Sequence, residues 1–109
     1  MTDQASLPVE GGVYKSVGGG VFEVLAVGKY RSCDCFAIQS GNEVHVHKLQ
    51  LWRLVPELRG AELLNISDDL PDIRGVGLRF GCRMVQVRKR GDEIQLEPAK
   101  GAKTGYGVQ

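Results

Sequence analysis

The sequence lacks the features that would direct it to a membrane, to a disulfide scaffold or to secretion. No apolar run approaches the roughly 18 residues of a membrane-spanning helix. The first ten residues hold two acids and no basic residue, unlike a secretory signal. The three cysteines are an odd number in a chain without such a signal, so they are expected to be thiols. These absences predict a cytoplasmic protein that does not bind membranes.

Excess charge and nucleotide-binding motifs are also missing. The formal net charge is +1, so any binding to nucleic acid has to come from a local patch. The glycines at 18 to 20 lie between strand-like segments and lack the Gly-Lys-Ser/Thr ending of a phosphate-binding loop. No cofactor is therefore expected.

The composition is that of an ordinary globular protein, with 42% hydrophobic and 25% charged residues. Fifteen glycines against four prolines favour short strands joined by tight turns. The length of 109 residues suits one domain. We predict a mainly β domain with a bent antiparallel sheet over 12–55, a short helix or loop over 56–74, a second hairpin over 75–97 and a tail over 98–109. No convincing internal repeat is seen.

The first hairpin is predicted around Ser40-Gly41-Asn42-Glu43, a sequence typical of a tight turn. A two-residue loop would pair His45 with Ile38, whereas a loop one residue longer would pair His45 with Gln39. The longer loop separates apolar from polar side chains better, and it is the register that we predict. It places His45 and His47 on the more polar face of the sheet.

The same register places Cys35 on the face of His45 and His47. Cysteine and histidine are the usual zinc ligands, and side chains two residues apart on a strand share a face. A metal-binding domain through these three residues is therefore one alternative. Against it, the spacing of Cys33 and Cys35 is not the usual zinc-knuckle spacing.

The second hairpin is predicted to turn at Gly91-Asp92. A two-residue turn pairs Val87 with Leu96 on an apolar face and Gln86 with Glu97 on the other. The basic run Arg88-Lys89-Arg90 is then offset by acids across the strands, which predicts a solvated sheet surface.

Aromatic side chains are the best functional indication, because a flat ring offers contact area at little entropic cost. The candidates are Tyr14, Tyr30, Trp52 and Tyr106. The alternative is that Trp52 and one tyrosine complete the core. No cysteine has an evident activating group, and the acids Asp68, Asp69 and Asp72 suit a loop, so no catalytic residue is predicted.

Residues 12–55 resemble the SH3-like barrels of small bacterial proteins. The blocks that carry the closest likeness are Val27-Gly28-Lys29-Tyr30, Phe36-Ala37-Ile38-Gln39-Ser40, Val44-His45-Val46-His47 and Leu51-Trp52-Arg53-Leu54. They resemble the plasmid-borne type II dihydrofolate reductases. This resemblance implies an NADPH-dependent reductase with a pore formed by four subunits, encoded on a mobile element. Lys15 falls near the pore lysine of that family, and His45 and His47 stand where the family has Gln and Tyr.

The preferred hypothesis is a noncatalytic binding or interaction module that uses a β-sheet face. Its partner would be a protein or a nucleic acid, and a homo-oligomer is left open. The reductase and the metal-binding domain are the alternatives. The candidate ligand-binding residues are Lys15, Tyr30, His45, His47 and Trp52.

Overall fold

The computed structural model describes residues 7–99, in which eight strands and two single-turn helices follow one another. The elements are β1 (Gly12–Lys15), β2 (Val21–Tyr30), β3 (Cys33–Ser40), β4 (Glu43–Lys48), α1 (Leu51–Leu54), α2 (Pro56–Arg59), β5 (Glu62–Ile66), β6 (Ile73–Arg79), β7 (Arg83–Arg90) and β8 (Glu93–Pro98). The predicted mainly β fold is confirmed. Tyr106 and most of the predicted tail lie outside the described residues.

Six of the strands form a partly closed ring in the order β2-β3-β4-β6-β7-β8, with β8 next to β2. The ring consists of two antiparallel three-stranded units, β2–β4 (the first unit) and β6–β8 (the second unit). Each junction between the units is a single parallel residue pair, Glu43 with Leu78 and Lys29 with Glu93. Beyond β2, strands β1 and β5 extend the sheet, and β5 is its edge.

The two units repeat each other in sequence. Val27-Gly28 in β2 corresponds to Val76-Gly77 in β6, and Gly41-Asn42-Glu43-Val44 corresponds to Gly91-Asp92-Glu93-Ile94. The sequence alone shows no convincing repeat, and it is the pairing of the strands that aligns the two units. Few residues are shared because only the turns and the junctions impose the same requirements on both units.

The repeat is also present in the backbone geometry. The pairing of β2 with β3 shifts at Leu25, and the pairing of β6 with β7 shifts at the corresponding Arg74. Such a bulge bends a strand and increases its twist, which allows a short sheet to curve into a ring. Both units therefore bend at the same position.

The two units are joined by two reciprocal backbone contacts, which we call the crossings. The backbone N–H of Lys29 donates to the carbonyl of Asp92 at 2.6 Å, and that of Leu78 donates to the carbonyl of Asn42 at 2.7 Å. A Cβ on Gly28 would overlap the Asp92 carbonyl oxygen, and one on Gly77 would lie 2.8 Å from the Asn42 oxygen. Glycine is required at both crossings, and the matching contacts indicate an approximate two-fold relation between the units.

The ring interior is one hydrophobic core, to which both units contribute corresponding side chains. Its buried members are Leu25, Ala26, Cys35, Ala37, Val44, Val85, Val87 and Ile94. A second core covers the outer face of the first unit. It contains Tyr14, Phe22, Val24, Phe36, Ile38 and Trp52. The indole of Trp52 is 2% exposed and meets Tyr14, Phe22 and Phe36 edge to face, so the alternative that Trp52 and one tyrosine complete the core is confirmed.

The register predicted for the first hairpin is wrong. Ile38 pairs with His45 and Phe36 pairs with His47, which is the register of the two-residue loop. The reason is that β3 is buried on both faces, with Ala37 in the ring interior and Ile38 in the second core. A strand without a solvent face gives no polar and apolar sides to separate, so the pattern argument does not apply.

The second hairpin has the predicted register, with Val87 opposite Leu96 and Gln86 opposite Glu97. On its outer face the Gln86 amide donates to Glu97 at 2.8 Å, and Arg88 donates to the same carboxylate at 3.2 Å. Two residues depart from the predicted solvated surface. Gln86 is 7% exposed, and the side chain of Lys89 is 11% exposed and pairs with Glu10.

The predicted helix or loop over 56–74 is only partly seen. Pro56 begins α2, because proline suits the first turn of a helix. The helix has only four residues and ends before Gly60. The chain then forms β5 against β1 and enters β6 at Ile73. Every residue of β5 is exposed, so it carries no alternation of buried and exposed positions that the sequence could reveal.

Glu10 ties the segment before β1 to both units. Its carboxylate accepts hydrogen bonds from the Lys89 ammonium at 2.6 Å, from the Val27 backbone N–H at 2.7 Å and from the Arg74 guanidinium at 3.3 Å. Burial by itself would raise the pKa of Glu10, but these hydrogen bonds and the charge of Lys89 outweigh it and hold the pKa below 4.5. The carboxylate thus compensates two cations that are nearly buried.

We expect Glu10→Gln to lower the free energy of unfolding by about 2 kcal/mol at pH 7, because it leaves Lys89 and Arg74 without their counter-ion. A carboxyl whose pKa is depressed by folding stabilises above its unfolded pKa, and this stabilisation is lost as the pH falls through the folded pKa. The loss caused by the substitution should therefore shrink below pH 4.5. Urea unfolding from pH 3 to 7 measures it, and a loss that is the same at every pH would contradict the assignment.

Gly28→Ala and Gly77→Ala should each lower the free energy of unfolding by about 2 kcal/mol or more, because the added methyl meets a backbone oxygen that cannot move freely. Gly18→Ala is the control, since an added Cβ there has only the Ser16 hydroxyl oxygen at 4.0 Å. It should change the stability by less than about 0.5 kcal/mol. Equal urea midpoints for all three variants would contradict the proposed role of the crossings.

Candidate binding site at two hairpin turns

Two corresponding turns, between β2 and β3 and between β6 and β7, bring together a set of aromatic and basic side chains. We call Tyr30, Arg31, Arg79, Phe80 and Arg83 the turn cluster. Tyr30 and Arg31 stand at the end of β2. Arg79 and Phe80 occupy the corresponding positions at the end of β6. At these paired positions each unit has one aromatic ring and one guanidinium, in opposite order along the chain, and the second unit adds the guanidinium of Arg83.

The guanidinium groups lie against the rings. The Cζ atom of Arg31 is 5.3 Å from the centroid of Tyr30, and that of Arg79 is 5.9 Å from Tyr30 and 4.7 Å from Phe80. These distances are within the range of cation–π attraction. Arg79 therefore links the turn of one unit to the turn of the other.

Phe80 is held in an unusual position for a large apolar residue. It is 82% exposed, and its φ of 58° lies in the left-handed region that bulky side chains rarely adopt. Arg31 and Ser32 in the corresponding turn also have positive φ values, of 54° and 70°. Such turns match the right-handed twist of a hairpin, but a non-glycine residue there costs about 1 kcal/mol or more. Phe80 recovers none of this cost by burial, which favours a role in binding.

The arginines of the turn cluster have no ion-pair partner among the described residues, although Glu97 also lines the cleft between the turns. Within residues 7–99, Arg31, Arg79 and Arg83 form no ion pair with a carboxylate. The Nη1 atom of Arg79 is buried and has no hydrogen-bond partner among the described residues. The nearby carboxylate of Glu97 is engaged by Gln86 and Arg88, and their hydrogen bonds lower its pKa.

A cleft of about 350 Å³ opens between the two turns. Val85 and Leu96 contribute apolar surface to it, and the turn cluster supplies the cations and rings. Ligand pockets usually combine an apolar lining with a few placed polar groups. The arrangement suits a ligand that has both a flat ring and a negative charge.

Of the five residues that the sequence indicated as ligand-binding, Tyr30 belongs to the turn cluster and the others do not. Trp52 lies in the second core. Lys15 is exposed on β1, outside the ring. His45 and His47 are partly buried on the outer face of the first unit, where the His47 ring lies 5.6 Å from that of Phe36.

Cys35, His45 and His47 do not come together. The two imidazole rings stack with centroids 6.0 Å apart, and His45 Nε2 is 3.3 Å from the Glu43 carboxylate. Burial lowers the pKa of His47, and the charges of His45 and Arg79 lower it further. Cys35 faces the ring interior on the opposite side of the sheet, where burial raises the pKa of its thiol. In the described part of the chain, no group of three or more His, Cys, Asp or Glu side chains could hold a metal ion.

Sequence reasoning missed Arg31, Arg79, Phe80 and Arg83. The signal that could have found them is the repeat, because aligning Val27-Gly28 with Val76-Gly77 places Tyr30-Arg31 on Arg79-Phe80. Taken alone, a phenylalanine between strand-like segments is typical of a core residue.

Comparisons with protein-family models, with curated proteins and with solved structures find no significant match to this chain. The SH3-like barrel, the reductase activity and the tetramer therefore stay predictions. Between residues 7 and 99, no helix is long and apolar enough to cross a membrane.

The guanidinium of Arg79 should make little net contribution to folding, because the cost of burying one nitrogen without a partner among the described residues offsets its contacts with the rings of Tyr30 and Phe80. We expect Arg79→Met, which keeps the apolar stem, to leave the free energy of unfolding within about 0.5 kcal/mol of the original or to raise it. Urea unfolding measures this. A loss above about 1 kcal/mol would indicate a structural role and contradict the assignment to binding.

Proposed function

We propose that the protein is a noncatalytic binding module that takes single-stranded nucleic acid at the turn cluster. The observation that carries the proposal is the exposed ring of Phe80, which lies beside an arginine without a carboxylate partner in the described structure. The proposed binding has two parts, base stacking and phosphate binding.

Stacking uses the ring of Phe80. A base that stacks on an aromatic side chain contributes about 1–3 kcal/mol, whatever its sequence, because every base has a flat face. Phe80 is mostly in solvent, and Arg79 supports it on the protein side. Tyr30 offers a second, partly buried ring on the other turn.

Phosphate binding uses the guanidinium groups. A guanidinium can donate two parallel hydrogen bonds to a phosphate, which makes arginine well suited to this contact. Arg31 and Arg83 are exposed on the two turns that border the cleft. Their charges make a local basic patch on a protein whose net charge is only +1.

A single strand suits the site better than a duplex does. In a duplex the base faces are stacked on one another, so an exposed ring such as Phe80 has nothing to stack on. Duplex binding also needs many phosphate contacts over a long basic face. The Arg88-Lys89-Arg90 run does not supply one, because Arg88 is paired with Glu97 and Lys89 with Glu10. An acidic protein segment would match the arginines but would leave the face of Phe80 unused.

The test is fluorescence anisotropy with labelled dT12 and U12 at 50 mM salt. Phe80→Ala should weaken binding about tenfold or more, since it removes a stacking platform. Arg31→Ala combined with Arg83→Ala should also weaken binding and should reduce the dependence of affinity on salt. The control is Arg90→Ala, which removes an exposed arginine from a different turn, opposite Glu93. It should leave the affinity unchanged.

Urea unfolding of each variant confirms that the fold is kept. Three results would contradict the proposal: no binding of dT12 or U12 at about 0.1 mM protein, an affinity that Phe80→Ala does not change, or a labelled polyglutamate peptide that binds more tightly than either oligonucleotide.

A further inference from the structure

A second cleft, of about 490 Å³, lies beside the turn between β2 and β3. Its lining includes Ser32, Lys48, Gln50 and Arg53 together with the ion pair of Lys29 and Asp34. We call it the lysine cleft. Unlike the turn cluster, it has no aromatic side chain among the described residues that line it.

Two cations of the lysine cleft are available to a ligand. Lys29 is compensated, since its ammonium lies 3.0 Å from the Asp34 carboxylate. Lys48 and Arg53 are both exposed, and neither forms an ion pair within residues 7–99. The hydroxyl of Ser32 and the amide of Gln50 add neutral donors. This set suits phosphate groups rather than bases.

The two clefts share one hairpin turn. Tyr30 and Arg31 line the cleft of the turn cluster, while the next two residues, Ser32 and Cys33, line the lysine cleft. A chain that leaves the turn cluster therefore has to pass over only one tight turn to reach Lys48 and Arg53. Arg31 lies on that turn and is exposed, so it offers a phosphate contact on the way.

We infer that the bound strand continues from the turn cluster over the Arg31-Ser32 turn into the lysine cleft, where Lys48 and Arg53 bind its phosphates. This inference rests on the proposed function. The two clefts then have different roles. Bases stack at the turn cluster, and the lysine cleft binds the nucleic-acid backbone without contacting the bases.

The test compares a short with a long oligonucleotide, dT3 by NMR titration and dT12 by anisotropy. The double variant Lys48→Ala with Arg53→Ala should weaken the binding of dT12 about tenfold and leave that of dT3 unchanged. Two lost phosphate contacts should also reduce the slope of log affinity against log salt by about 1.4. Phe80→Ala should weaken the binding of both oligonucleotides.

The matched control is Lys15→Ala with Arg90→Ala, which also removes one exposed lysine and one exposed arginine but from other surfaces. It should leave dT12 binding unchanged. An unchanged dT12 affinity in the Lys48/Arg53 variant would overturn the inference, and so would an equal loss in the control or an equal loss for dT3. In each of these three cases, weaker oligonucleotide binding by Phe80→Ala would still support the proposed function. If the wild-type protein binds neither oligonucleotide, the proposed function fails and the inference fails with it.

Discussion

The reciprocal crossing of the two units is the constraint on which the rest of the structure depends. The Lys29 and Leu78 amides each donate to a turn carbonyl of the opposite unit, and Gly28 and Gly77 leave room for that approach. Without these contacts the two curved sheets would expose their inner faces, and the ring interior would not exclude water. The same crossings bring the ends of β2 and β6 together, which is how Arg79 reaches Tyr30.

The two units have matching junctions and differ on their outer faces. The first unit carries Phe36 and Ile38 outward under a cover that includes Trp52, whereas the second carries Gln86 and Arg88 outward into a polar network with Glu97. The two faces require opposite polarity, because one packs against other elements and the other meets water. Neither requirement applies at the end of the ring, where the turns hold the exposed ring of Phe80 and the exposed guanidinium groups of Arg31 and Arg83.

Two groups of cations in the described residues differ in how their charge is compensated. Arg74 and Lys89 are nearly buried and share the carboxylate of Glu10, an arrangement that stabilises the fold. The arginines of the turn cluster have no such partner within the described residues, although Arg79 is partly buried. A buried cation that no acid compensates does not help folding. In the proposed function, a negatively charged ligand compensates this cation beside the exposed ring of Phe80.

The sequence by itself determined the strands of the second hairpin, their register and the pairing of its outer face, because that hairpin has one buried and one solvated side. It also indicated Tyr30 as a candidate for binding. The register of the first hairpin and the exposed strand β5 could not be predicted from the sequence, since both depend on which elements cover each face of these strands. Only the tertiary structure placed Arg79 and Phe80 next to Tyr30 and Arg31, and Trp52 in a core. The physical reason is that alternation along a strand reports whether a side chain is buried, while the meeting of two distant turns depends on how the curved units cross.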